Sequence, residues 1–284
     1  MTSNHLTTNI YFSSMNRSDF PLDAYLHRIG LTSMVPADED GLEILHRAQV
    51  YAIPFENFDI MLGQGINLEP AALFEKLVRR RRGGYCFELN GLFLRMLLQA
   101  GFRARALLAR VHMRGEPGGR THQLELVSIG DRDWIADVGF GSNGLRAPLP
   151  LETGRVASQD GHRYRLRDAG QYGTMLQWQQ DGDWRDLYSF DLGLASQADI
   201  ELGNHFTSTH PSSFFTWTRV ANLPHRDGRV SLTDLSLTEA LGPEVRQVHL
   251  QEGQEYLDAL EKYFGIRLEA GYDALRPLRR EAVQ

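Results

Sequence analysis

The chain has 284 residues, 42% hydrophobic and 23% charged, enough apolar material for a sizeable core in one large domain or two to three small ones. A formal net charge of −6 and a pI near 5.9 exclude a general nucleic-acid binder, whose electrostatic footprint is basic. A single cysteine excludes an internal disulfide and fits a reducing compartment.

Residues 1–18, rich in Asn, Ser and Thr, read as a poorly ordered lead-in. Met1 to Phe20 has no apolar centre of a signal peptide, and no run approaches the ~18 apolar residues of a membrane span. The expectation is a cytoplasmic protein. Pro21 starts a helix through Leu22, Tyr25, Leu26 and Ile29, which Gly30 ends. Asp38 to Val50 repeats the pattern. Pro54 forbids its continuation into Ile53-Pro54-Phe55-Glu56-Asn57-Phe58. Glu69 to Arg82 reads as a third helix with Leu73, Leu77 and Val78 inward, and Tyr85 to Ala100 as a fourth, closed by Gly101.

After Gly101 the apolar period changes from helical to two. Arg103 to Arg114, His122 to Ile129 and Trp134 to Phe140 read as strands of a meander, with Gly115 to Gly119 and Gly130-Asp131 as turns. Strands follow at Arg163 to Arg167, Met175 to Gln179 and Trp184 to Ser189, then a short helix at Ala195 to His205. Phe214 to Ala221 and Arg229 to Leu237 flank Asp227-Gly228 as two more strands, Val245 to Leu250 is another, and Tyr256 to Phe264 carries a helical stripe. The fold class is α+β: a helical unit (1–102) followed by an antiparallel sheet or barrel.

The chemistry centres on Arg82-Gly83-Gly84-Tyr85-Cys86-Phe87-Glu88-Leu89-Asn90. Cys86 falls in a first helical turn, where unpaired N–H groups and the positive end of the helix dipole favour a thiolate. A lone cysteine is more often a small buried hydrophobe, so a base must be found. Among ten histidines, His122 opens a strand directly after a glycine-rich turn. Asp137 lies on the next strand among apolar neighbours, where an unpaired carboxylate would cost several kcal/mol. Antiparallel neighbours can pair the two, which holds the imidazole in one tautomer and leaves its other nitrogen for the thiol. No Cys or His pair stands at metal-ligand spacing, so no metal is expected.

With Pro54-Phe55-Glu56-Asn57, Thr121-His122 and Asp137-Val138-Gly139-Phe140-Gly141, the motif resembles the arylamine N-acetyltransferases, from about Phe20 onward. The resemblance implies three parts: a helical bundle (1–102), a β-barrel (103–210) and an α/β lid (211–284). It also implies a xenobiotic-metabolising enzyme of cysteine-protease-like arrangement, with Cys86 as acyl acceptor, His122 as base and Asp137 as its orienter. Such an enzyme moves acetyl from acetyl-coenzyme A through a cysteine thioester to an arylamine or hydrazine by a ping-pong mechanism, as a monomer or homodimer without a metal, nucleic-acid or membrane partner. Phe55, Val111, Met113 and Phe140 match acceptor-pocket positions, Gly118, Gly119, Ser212 and Ser213 coenzyme A contact regions, and Glu56 with Arg82 a structural ion pair. The run Arg79 to Arg82 reads as a solvated helix face. Three rivals use the same residues: an amide synthase joining another acyl donor to an arylamine, a cysteine hydrolase or transglutaminase-like enzyme, and a non-catalytic binding module.

Overall fold

The computed structural model describes residues 21–113 and 117–278; the lead-in and the Arg114–Glu116 part of the first strand and turn lie outside them. Five helices open the fold: α1 (Leu22–Arg28), α2 (Glu39–Ala52), α3 (Phe58–Met61), α4 (Pro70–Phe74) and α5 (Cys86–Gln99). Asp38 caps α2, its Oδ1 accepting from the Gly41 N–H at 2.9 Å. Along α5, Leu89, Leu92, Phe93, Met96 and Leu97 are buried. Their spacing puts them on one helix face, which forms the centre of the helical part.

The expected third helix is shorter than its apolar pattern. α4 runs into one wider π turn over Glu75–Arg79, and Arg81 adopts φ 53°, ending the helix before Arg82. Arg79, Arg80 and Arg81 are exposed while Arg82 turns inward, so the solvated face expected for this run holds for three of its four arginines.

Eight strands form a near-closed, barrel-like antiparallel sheet: β2 (Arg103–Val111), β3 (His122–Ile129), β4 (Arg132–Ala136), β5 (Leu149–Pro150), β6 (Val156–Gln159), β7 (His162–Asp168), β8 (Thr174–Gln180) and β9 (Asp183–Phe190). Their order is β5-β4-β3-β2-β9-β8-β7-β6, and a bridge from Thr153 to Leu166 draws its open edges together. β4 stops at Ala136, so Asp137 begins the loop beyond the strand instead of lying within it. β3 is buried on both faces because α5 covers the side away from the barrel interior.

After α6 (Gln197–Thr209) come β10 (Val220–His225), β11 (Gly228–Thr233), β12 (Ser236–Leu241), β13 (Glu244–His249) and α7 (Gln254–Phe264). Two expectations change here. Phe214–Thr216 is a single 3₁₀ turn, closed by the Trp217 N–H to Phe214 O bond at 3.4 Å, and the strand begins only at Val220. The expected strand Arg229 to Leu237 is a hairpin: Asp234 takes φ 52°, and Thr233 pairs with Ser236. A short strand β1 (Phe55–Glu56) from the helical part joins this second sheet, in the order β1-β10-β11-β12-β13.

Candidate active site

The segment before α5 is pinned by two close approaches. A Cβ at Gly83 would stand 2.2 Å from the Pro54 carbonyl oxygen, so only glycine lets the strands around Phe55 and Gly84 meet. There the Glu56 N–H donates to Gly84 O at 2.9 Å. Glu88 folds back to accept from the Tyr85 N–H at 3.0 Å, which closes the N-terminus of α5 and fixes Cys86 as its first residue. Cys86 is buried, its Sγ 3.8 Å from the Thr121 carbonyl oxygen.

His122 Nε2 lies 2.8 Å from Asp137 Oδ2, and Cys86 acts on the same imidazole, favouring its protonated form. The carboxylate therefore occupies one ring nitrogen and leaves Nδ1 for the sulfur. Asp137 is further held by Asn90 Nδ2 and by the Gly139 N–H, each at 2.9 Å from Oδ1. Asn90 is four residues beyond Cys86 on the same helix face; it also donates to Gln123 O at 2.5 Å and accepts from the Val138 N–H at 2.9 Å. Gly139 is wedged against the helix start, where a Cβ would stand 3.0 Å from the Cys86 Cα. Behind Asp137, the ring of His46 accepts the Asp137 N–H at 3.2 Å.

Burial alone would lower the His122 pKa, but the Asp137 charge and its hydrogen bond, with Cys86 acting in the same sense, outweigh it and lift the value to about 10. Burial pushes Asp137 up, and the His122 charge, its hydrogen bond and those of Asn90 and Gly139 hold it below the usual carboxylate range. Burial keeps His46 neutral, with a pKa near 4.

Glu56 and Arg82 are joined at 2.9 Å (Nε) and 2.7 Å (Nη2). Their pairing continues through Asp59, 2.8 Å from Arg82, to Lys76 and then Glu88, each of the last two contacts 2.7 Å long. Phe140 stands edge-on to the His122 ring at 5.1 Å, and Tyr188 tilts against both, 4.9 Å from His122 and 5.0 Å from Phe140. Phe55 and Phe140 share a water-sized cavity of about 10 Å³ with Asp137 and Pro224. Val111 sits opposite Tyr188 in the sheet register. Met113 is half exposed.

Gly119, Arg120 and Thr121 line a groove of about 330 Å³ with Leu194, Leu202 and Phe206. Gly118 accepts from Arg110 at 2.7 Å. Ser212 bonds to His210 at its exposed turn, and the buried Ser213 spends its hydroxyl on Thr207 O. Asn90, His46 and Tyr188 belong to the site although their residue types gave no role in sequence. For Asn90 the signal was the helical repeat, since a polar residue one turn past a candidate nucleophile shares its face.

The sequence matches the N-acetyltransferase family model over residues 38–272. An arylamine N-acetyltransferase / N-hydroxyarylamine O-acetyltransferase of Salmonella typhimurium is 40% identical over 252 residues, covering 86% of this chain and 88% of that protein. The chain belongs to the arylamine N-acetyltransferase family. Solved structures agree: the Salmonella typhimurium arylamine N-acetyltransferase superposes with a TM-score of 0.83 at 38% identity, covering 86% of this chain and 90% of that one. The Mycobacterium marinum family member, solved in complex with CoA, superposes with a TM-score of 0.81 at 35% identity over 86% and 92%. As a family member the chain is an acyltransferase, and its mixed α/β fold with a barrel-like eight-stranded sheet is that of its structural neighbours.

Proposed function

We propose that this enzyme carries acetyl from acetyl-coenzyme A to arylamines and arylhydrazines through a thioester on Cys86. The observation that carries the reading is the line from Cys86 to His122 to Asp137, anchored by the 2.8 Å contact between the last two. The Cys86 thiolate attacks the thioester carbonyl. As the tetrahedral adduct collapses, His122 gives its proton to the departing coenzyme A thiolate and the acetyl stays on sulfur. Acylation removes the negative charge that helped hold the His122 proton, so the neutral imidazole is ready to take a proton from the incoming amine while Cys86 leaves as thiolate. Asp137 keeps the ring in one tautomer throughout.

The acyl donor enters along the groove at Gly119 to Thr121, with Gly118, Ser212 and Ser213 near its path, and the acceptor ring packs among Phe55, Val111, Phe140 and Tyr188, with Met113 at the outer edge. In this reading residues 1–102, 103–210 and 211–284 act as bundle, barrel and lid, in a cytoplasmic enzyme.

The test is the intact mass of the protein after mixing with acetyl-coenzyme A alone. One added acetyl on wild type, none on Cys86→Ala, and its removal by aniline or a hydrazine are expected. Equal mass in both proteins, with no adduct, would refute the thioester step and favour an amide synthase using another donor, or a hydrolase.

A further inference from the structure

Three residues past His122 on β3, Glu125 is completely buried. Its Oε1 accepts from Gln123 Nε2 at 3.1 Å, and its Oε2 has no partner. Among the described residues no Lys, Arg or His lies within ion-pair distance of it. Its cross-strand partner is Ala136, the residue before Asp137, so two carboxyl groups share one dry interior.

The two are served unequally. Asp137 has His122, Asn90 and the Gly139 N–H around it, whereas Glu125 has one side-chain amide. Gln123 shares the α5-side face of β3 with Glu125; Asp137 follows the cross-strand partner Ala136, and the charges of Asp137 and His122 reach Glu125 from the other face of the strand, as its own charge reaches Tyr188 of β9. Asn90 of α5 joins this unit through Gln123 O. In a low dielectric a second carboxylate near Asp137 is disfavoured, and the charge settles on the better-donated one.

We infer that Glu125 is a positioning residue, held as the neutral acid so that the Cys86, His122 and Asp137 line carries a single excess negative charge. This rests on the proposed reading of that line. The consequence is specific to proton transfer. If Glu125 loses its proton, a second anion beside Asp137 tightens the hold of His122 on its proton. The imidazolium then neither delivers that proton to the departing coenzyme A thiolate nor becomes the base for the amine. The Glu125 proton is therefore one of those whose loss lowers activity as pH rises. Burial pushes its titration well above that of an ordinary glutamate, with Asp137 adding to the shift.

The experiment compares wild type with Glu125→Gln, which keeps the shape and is neutral at every pH. At pH 7 the variant should keep kcat/KM for acetyl-coenzyme A within about threefold. In wild type kcat/KM should fall about tenfold per pH unit on the alkaline side, and in the variant that fall should move up by at least one pH unit. Superimposable profiles would overturn the assignment. A second readout does not depend on transfer: carbon-13 NMR of side-chain-labelled glutamate should show one carboxyl still protonated at pH 7, absent from Glu125→Gln. If every glutamate carboxyl has ionised by pH 6, Glu125 is not the neutral acid, whatever Cys86 proves to accept.

Discussion

Two sets of buried charges meet at the start of α5 and are built differently. In the first, Glu56, Arg82, Asp59, Lys76 and Glu88 form a continuous line in which each acid touches a base and each base touches two acids. Arg82 and Lys76 are held more firmly protonated than usual: burial opposes it, but for Arg82 the charges of Glu56 and Asp59 win, and for Lys76 those of Glu88, Glu56 and Asp59. None of this is available for chemistry. The second line, Cys86, His122 and Asp137, is as well packed, but it ends on a sulfur whose long contact to the Thr121 carbonyl, 3.8 Å, leaves it open. A closed line of charges fixes the geometry of Pro54 to Cys86, and an open one can pass a proton along. Both are buried, so burial alone does not distinguish scaffold from site.

Cutting the open line at its free end has the largest expected effect. Cys86→Ala should lower acetyl transfer by about 10⁴-fold or more, while the thermal midpoint moves by only a few degrees because little volume is lost. Substantial turnover by this variant would mean that the sulfur is not the acyl carrier. Asp137→Asn comes next. An amide at this place presents a donor where His122 needs an acceptor, which releases the tautomer; a drop of about 10³-fold in kcat with nearly normal folding is expected. A kcat within tenfold of wild type would show that ring orientation is set elsewhere.

The closed line should respond in the opposite sense, in stability first. Glu56→Ala leaves Arg82 buried with half its partners and should cost about 3–5 kcal/mol in urea-induced unfolding. An unchanged unfolding midpoint would show that the line does not brace the fold. The smallest effect concerns His46. Its folded pKa near 4 lies below the ordinary value of about 6.5, so the unfolded chain takes a proton there that the folded one refuses. Stability should be undiminished above about pH 6.5 and lost as pH falls towards 4, by about 3 kcal/mol at most. His46→Gln, which preserves an acceptor for the Asp137 N–H, should flatten that decline; identical slopes in both proteins would remove His46 from the account. His122 has the reverse sign: with its folded pKa raised to about 10, its contribution is whole below about pH 6.5 and fades as pH rises through 10.

Much of the site was legible from local rules. Two glycines before a helix start could be read as close approach, and the helical repeat placed Cys86 in the first turn. The side chains that support the site were less legible because they depend on which surface covers which. Alternation along β3 put Gln123, Glu125 and Val127 on one side of the strand, but it could not say that α5 lies on that side and makes it interior. His46 is forty residues from Cys86 on a different helix, and its meeting with the Asp137 N–H is set by packing alone. The hairpin at Asp234 was missed because an aspartate between Thr233 and Leu235 does not interrupt an apolar alternation, although its side chain tolerates the left-handed backbone that turns the chain.

The strand β1 ties the site to the order in which the protein can be made. Asn57, one residue past β1, donates to the Thr218 carbonyl at 2.8 Å across 161 residues of sequence, and Phe55 pairs with Asn222. During synthesis the helical part emerges first, with the edge of Phe55 and Glu56 unpaired and the Pro54 to Cys86 geometry unsupported on one side. The proposed nucleophile is therefore expected to become competent late, after β10 has emerged. A nascent chain halted before Val220 should hold Cys86 in a helix that has begun to fold around a site not yet able to work.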